Sequence, residues 1–159
     1  MVEHGGYSHV ERAPPTLVLD ASVATKWFVE EEGTEKALGL RDAYLDGNVR
    51  LTAPDLLIYE VGNALNYNPK LSTTELVNSV QSLVEFDLEL VPPSMDFITQ
   101  TTKTARKYSL SAYDASYAAL SELVATKLVT ADRKLYEKLL PETRVYFLDD
   151  LNSKWDISP

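Results

Sequence analysis

Short strand-like runs alternate with segments of helical period along this chain. Thr16–Leu19 is an apolar run ending at Asp20, and Arg50–Ala53, Leu88–Val91, Lys127–Thr130 and Val145–Leu148 have similar length. Runs this short, bounded by turn signals, read as buried parallel strands. Between them, Ala21–Phe28 reads as a short helix closed by Glu30, Glu31, Glu32 and Gly33. Thr34 is placed to cap a helix through about Leu45, which Asp46-Gly47 ends. Pro54 suits the first turn of the next helix, on which Leu57, Val61, Ala64 and Leu65 share one face until Asn68-Pro69 breaks it. Ser72 and Glu75 make a capping box for a helix striped by Leu76, Val80, Leu83 and Val84. After Pro92-Pro93, the residues Ile98, Thr101, Thr102 and Ala105 stripe a helix to about Tyr108. Ala112–Ala125 is apolar on nearly every side and predicts a buried helix, and Arg133–Leu139 predicts the last one. Strands alternating with helices over short links predict an α/β protein, a three-layer α/β/α sandwich around a central parallel sheet of about five strands. The domain is expected over 16–148. Residues 1–15, with Gly5-Gly6 and Pro14-Pro15, read as a flexible arm, and 149–159 as a tail that Trp155 pins down.

Composition narrows the classes. A chain of 159 residues, 45% hydrophobic and 25% charged, is one ordinary globular domain. No apolar run approaches the roughly 18 residues that span a bilayer, so no membrane association is expected. The first fifteen residues carry Glu3, His4, Glu11 and Arg12 without a secretory apolar block, which makes the expected location cytoplasmic. The absence of cysteine excludes disulfides and thiolate metal sites. A net charge of −9 argues against gripping nucleic acid through a broad basic face. It leaves room for phosphodiester chemistry, because a bound cation reverses the sign of an acidic pocket. It also suits a basic partner.

Four acids carry the candidate chemistry. Asp20 and Asp132 lie just past predicted strands, Asp114 opens the buried helix, and Glu60 lies mid-helix on the flank of its apolar stripe. In an open α/β sheet, ligands bind in the crevice beyond the carboxyl ends of the strands. Carboxylates converging there repel one another unless a hard cation lies between them, and oxygen-only ligation suits Mg2+ or Mn2+. The pattern points to a metal-dependent nuclease. Taken singly, each Asp has another explanation. Asp20 and Asp132 suit N-caps, Ser111 and Asp114 resemble a capping box, and Glu60 could snorkel outward from a boundary position.

The segments Leu-Val-Leu-Asp-Ala-Ser-Val (17–23), Tyr-Glu-Val-Gly-Asn-Ala-Leu (59–65), Tyr-Asp-Ala-Ser-Tyr-Ala-Ala-Leu-Ser-Glu (113–122) and Leu-Val-Thr-Ala-Asp-Arg-Lys-Leu (128–135) resemble, in order and spacing, the four acidic motifs of PIN-domain ribonucleases. The likeness is nearest to the VapC toxins of toxin–antitoxin pairs and spans roughly residues 16–148. It implies a sheet ordered 3-2-1-4-5, a magnesium- or manganese-dependent endoribonuclease acting on RNA, often a homodimer, and an antitoxin that inserts into the active-site groove. By the same resemblance Asp20, Glu60, Asp114 and Asp132 match the metal-binding acids, Thr130 the hydroxyl of the Thr-x-Asp motif, and Ser22 the small polar residue after the first acid. Asp20 and Asp114 are the expected direct ligands. Glu60 and Asp132 are expected to act through water or to orient the nucleophile. The family also includes members that process ribosomal RNA or act in RNA decay.

Lys26, Arg133 and Lys134 are candidate RNA contacts, as are Lys103, Arg106 and Lys107 together on one helix, although solvated faces are the commoner use of such residues. His4 and His9 lie in the arm, away from the chemistry, and Trp27 reads as core rather than as a base-stacking platform. A haloacid-dehalogenase-like phosphatase would need a second Asp where Ser22 stands. A receiver domain would need an acidic pair by the first strand, and the only such late pair is Asp149-Asp150. The surviving rival is a domain of this fold serving as a non-catalytic binding or assembly module. Self-association is expected through the helices near 55–67 and 73–86, where Leu56, Ile58 and Tyr67 lie beyond the apolar face.

Overall fold

A computed structural model describes residues 12–140, 144–152 and 155. Its strands are β1 (Thr16–Leu19), β2 (Arg50–Pro54), β3 (Glu89–Val91), β4 (Lys127–Thr130) and β5 (Val145–Phe147). Its helices are α1 (Ala21–Thr25), α2 (Thr34–Leu45), α3 (Leu57–Asn66), α4 (Thr73–Glu85), α5 (Met95–Tyr108), α6 (Ala112–Leu123) and α7 (Arg133–Leu139), and a 3-10 turn covers Leu148–Asp150. All strand pairs are parallel, in the order β3-β2-β1-β4-β5. The expected α/β/α sandwich and its strand order are therefore present. β1 is central, and Leu17, Val18 and Leu19 are wholly buried. The chain winds from β1 outward to β3 and then crosses back to β4 on the other side of β1. That reversal opens the crevice at the carboxyl ends of β1 and β4.

α6 is covered without a break from Ala115 to Ser121 and lies against β1, β2 and β4. Alanine and serine on this helix keep it slim enough to sit across the middle of the sheet. α3 carries the expected buried line Leu57, Val61 and Leu65. The Ser72–Glu75 capping box of α4 is complete in both directions. Trp27 is core: its indole N–H donates to the Ala37 carbonyl at 2.9 Å, and its ring meets Phe86 edge-on at 5.3 Å. Trp155 packs against the core beside α2, its ring 3.6 Å from where a Cβ on Gly39 would stand.

Several local expectations need correction. α1 stops at Thr25, whose hydroxyl donates to the Ala21 carbonyl, and the chain from Lys26 to Phe28 continues in tighter turns bonded three residues back. Pro54 is the last residue of β2 rather than the first turn of a helix. It lies beyond Thr52, the last residue of β2 paired with β1, and pairs with Val91 of β3. Thr34 is not the cap of α2, which begins after Gly33 at φ +82°. The Thr34 hydroxyl instead accepts the Glu31 N–H and donates to the Val29 carbonyl, bracing the turn before the helix. On α5 the buried line is Phe97, Thr101 and Thr104, while Ile98 is half exposed. Ser94, whose hydroxyl accepts the Phe97 N–H, starts that helix. Leu56 and Ile58 are partly buried against the core, so of the three residues expected to stand proud only Tyr67 does, joined by Tyr59. Most of the expected arm and tail, with His4 and His9, lies outside the described residues. Residues 12–15 form no helix or strand. Among the described residues no helix is long and apolar enough to cross a membrane.

Candidate active site

Asp20 continues the β1–β4 pairing by one residue, its N–H donating to the Val129 carbonyl at 3.1 Å. Its backbone is extended, and its side chain is 5% exposed. It stands at the N-cap of α1 but makes no capping bond. Oδ2 instead accepts the hydroxyl protons of Ser22 at 2.5 Å and of Thr130 at 2.7 Å. Those hydroxyls are oriented in turn, because Ser22 Oγ accepts the Ala131 N–H and Thr130 Oγ1 accepts the Asp132 N–H. With each oxygen accepting a backbone proton, its own proton is left to point at Asp20. Capping therefore does not explain Asp20, and backbone N–H groups of the turn after β4 orient two hydroxyl donors at its carboxylate.

Asp132 behaves differently. It is exposed, and its Oδ1 caps α7 by accepting the N–H groups of Lys134 and Leu135 at 2.9 and 3.1 Å. Its capping explanation holds for that oxygen. At α6 the cap is Ser111, whose hydroxyl accepts the Asp114 N–H at 3.1 Å, so the half-buried Asp114 carboxylate is not the capping group there. Glu60 is half-buried on α3, and the Tyr117 phenol donates to its Oε2. It does not snorkel.

The four acids share one electrostatic neighbourhood. Burial raises the Asp20 carboxyl pKa above its ordinary 3.8. Hydrogen bonds from Ser22 and Thr130 oppose that, and the charges of Asp114 and Asp132 add to it. Burial is also the main cause that lifts Glu60 from 4.5 to about 7. The Tyr117 bond acts against it, and Asp20 and Asp114 act with it. The ion pairs Lys26–Glu31, Arg41–Asp42 and Arg50–Glu89 of the described residues do not reach this cluster. One buried, two half-buried and one exposed carboxylate, with no ion pair to them among the described residues, have the donor chemistry for a hard divalent cation. The carboxylates are not drawn into a closed set, since among the described residues no three His, Asp or Glu side chains are gathered closely enough to hold an ion. Magnesium commonly keeps several waters and takes only one or two carboxylates directly. The residues fit such a cation, held partly through water.

Beside the acids runs an open groove of about 600 Å³ between α1, α3 and the β4–α7 turn, lined by Ser22, Thr25, Glu60, Ala64 and Asp132 among others. A second groove of about 760 Å³ on the other side of Lys26 contains none of the four acids. Lys26 lines both, yet its ammonium is anchored by Glu31 Oε1 at 2.9 Å and the Glu32 carbonyl at 2.7 Å. Arg133 stacks its guanidinium 4.1 Å over the Phe147 ring, and Lys134 is exposed. Lys103, Arg106 and Lys107 belong to α5 and do not line the groove. Tyr117 escaped the sequence reading because it lies in a helix that is apolar all round. Its position three residues after Asp114, which puts both on one helix face, was the available signal.

An α/β/α fold with an acidic crevice at the strand reversal belongs to a recognisable class. The family model described as PIN domain matches residues 17–138. The chain is 34% identical over 126 residues to Ribonuclease VapC3 of Pyrobaculum aerophilum, covering 77% of this chain and 93% of that one. The chain belongs to the PIN domain family, and its likeness within it is to the VapC type. Among solved structures, PAE2754 from Pyrobaculum aerophilum superposes with a TM-score of 0.59 at 25% identity, covering 87% of this chain and 93% of that one. FitAcB from Neisseria gonorrhoeae superposes with a TM-score of 0.58 at 15% identity over 85% of this chain and 99% of that one, a likeness of fold alone.

Proposed function

We propose that this protein is a magnesium- or manganese-dependent endoribonuclease that hydrolyses RNA phosphodiesters, acting as the toxin of a toxin–antitoxin pair in the cytoplasm. The observation that carries the reading is the acid set at the β1–β4 reversal, with Asp20 buried beneath the half-buried Glu60 and Asp114, hydroxyls donating to Asp20 and Glu60, and no ion pair to the four acids among the described residues. The 34% identity to a protein named Ribonuclease VapC3 supports RNA as the substrate. Asp20, Glu60, Asp114 and Asp132 would hold the cation, with Asp20 and Asp114 as direct ligands and Glu60 and Asp132 acting through water or orienting the nucleophile. When bound, the ion supplies an activated water and stabilises charge on the phosphate oxygens.

The chain's own groups do the positioning. Ser22 and Thr130 hold one oxygen of Asp20 and leave the other for ligation. The α7 cap fixes one oxygen of Asp132 in the same way. The groove between α1 and α3 gives an RNA strand a path past the acids, with Lys26, Arg133 and Lys134 as phosphate contacts. Of these Lys134 is the readiest, since Lys26 must exchange Glu31 for phosphate and Arg133 must leave Phe147.

Purified protein incubated with a mixed RNA pool should cleave it in manganese and leave it intact in chelator. An intact pool under both conditions, from folded protein, would favour the non-catalytic module instead. Cleavage in chelator would remove the metal from the mechanism.

The partners belong to the same proposal. The charge of −9 suits an antitoxin with a basic segment. A homodimer is proposed through α3 and α4, which pack together and expose Tyr59 on α3, Tyr67 just past its end, and Val77 and Val84 on α4. Light scattering at high micromolar concentration should give twice the chain mass of 17.8 kDa. A monomer there would contradict the dimer.

A further inference from the structure

We infer that Tyr117 is the positioning residue for Glu60, and that α6 thereby delivers both a metal ligand, Asp114, and the anchor that orients a second acid on a different helix. The inference rests on the proposed metal site. Tyr117 is wholly buried, and a buried phenol must find a partner for its hydroxyl. Its partner is the Oε2 atom of Glu60, 57 residues away on α3. That bond occupies Oε2 alone, on a residue that lines the groove.

Packing alone does not require this arrangement. A phenylalanine would fill the same space between α6 and the sheet without needing a partner. The hydroxyl is useful because Glu60 is on a flexible arm near the like charges of Asp20 and Asp114, with several rotamers open to its carboxylate. A donor fixed by a buried ring selects one of them. The spacing is economical: Asp114 and Tyr117 are three residues apart on one face of α6, so a single rigid helix sets both acids at once.

The test reads metal binding rather than turnover. Thermal melts in increasing manganese give the half-saturating concentration for wild type, Tyr117→Phe, Glu60→Gln, the double variant and Glu60→Asp. Tyr117→Phe keeps the ring and should fold, melting in chelator close to wild type, while its half-saturating manganese rises about tenfold or more. Glu60→Gln should rise at least as far, and adding Tyr117→Phe to it should change nothing further. Glu60→Asp keeps the charge but shortens the arm by one carbon, and should reproduce the loss without disturbing the buried ring. A wild-type manganese curve for Tyr117→Phe, beside a weakened Glu60→Gln, overturns the role of Tyr117 and leaves the metal site standing. So does a further loss of the same size when Tyr117→Phe is added to Glu60→Gln, because the phenol would then act independently of Glu60. If wild type takes up no manganese, the metal reading and this inference fall together; if Glu60→Gln matches wild type, this inference falls and the site on Asp20 and Asp114 stands.

Discussion

Asp20→Asn will fold, melt in chelator at or above the wild-type temperature, and cleave RNA at least about 100-fold more slowly. The activity figure follows from Asp20 being a proposed direct ligand, since removing even a hydrogen-bonded supporter of a ligand costs 10–100-fold. The stability follows from what surrounds it. The carboxylate is 5% exposed, and burial opposes its charge. An asparagine oxygen can still accept the Ser22 and Thr130 protons while removing the buried charge and its repulsion with Asp114 and Asp132. Loss of a structural Asp would instead lower the melting temperature, and undiminished cleavage by pure, folded Asp20→Asn would sink the assignment.

The second large effect concerns pH. Without metal, the protein should lose stability as pH rises from about 4.5 to 7, and Glu60→Gln should flatten much of that slope. Native Glu60 holds its proton up to about 7, whereas the unfolded chain releases it near 4.5. Between those values the native state binds more protons, so each rise in pH favours unfolding. Above about 7 both states are ionised and the penalty is complete. Asp20, also raised, contributes in the same direction. At full strength the Glu60 shift corresponds to roughly 3 kcal/mol, and partial exposure reduces it to about 1–2 kcal/mol. That is about 4 °C in melting temperature for a domain of this size. Parallel stability–pH profiles for wild type and Glu60→Gln would refute the coupling of Glu60 to its neighbours.

The strands were legible because a strand buried on both faces leaves an uninterrupted apolar run, as at Thr16–Leu19. Their order followed only from resemblance, since nothing local to β4 says that it returns to the far side of β1. The phase of α5 was misread because Ile98 is a stronger apolar signal than Thr101 or Thr104. Its burial is set by the Ser94 cap and by Phe97, which turn the threonines inward. At the site, position was readable and role was not. An Asp after a strand looks the same whether it caps a helix or receives two hydroxyls, and one of the hydroxyls that decide the matter for Asp20 lies 110 residues away on Thr130. Lys26 looked free because its partner Glu31 comes round only through the Thr34-braced turn. Tyr117 looked like core, and it is core except at one atom.

The 110-residue separation between Asp20 and Thr130 also bears on the birth of the molecule. During synthesis Asp20, Glu60 and Asp114 emerge well before β4, but the central strand β1 has no partner on that side until residues 127–130 have left the ribosome. Pairing of such distant segments is slow, because the entropy of closing the long loop is lost before the contact rewards it. A nascent chain therefore carries three of the four acids with no crevice to hold them. The four acids share one crevice only when nearly the whole domain has been made, so a chain of this build is expected to stay inactive while it is being translated.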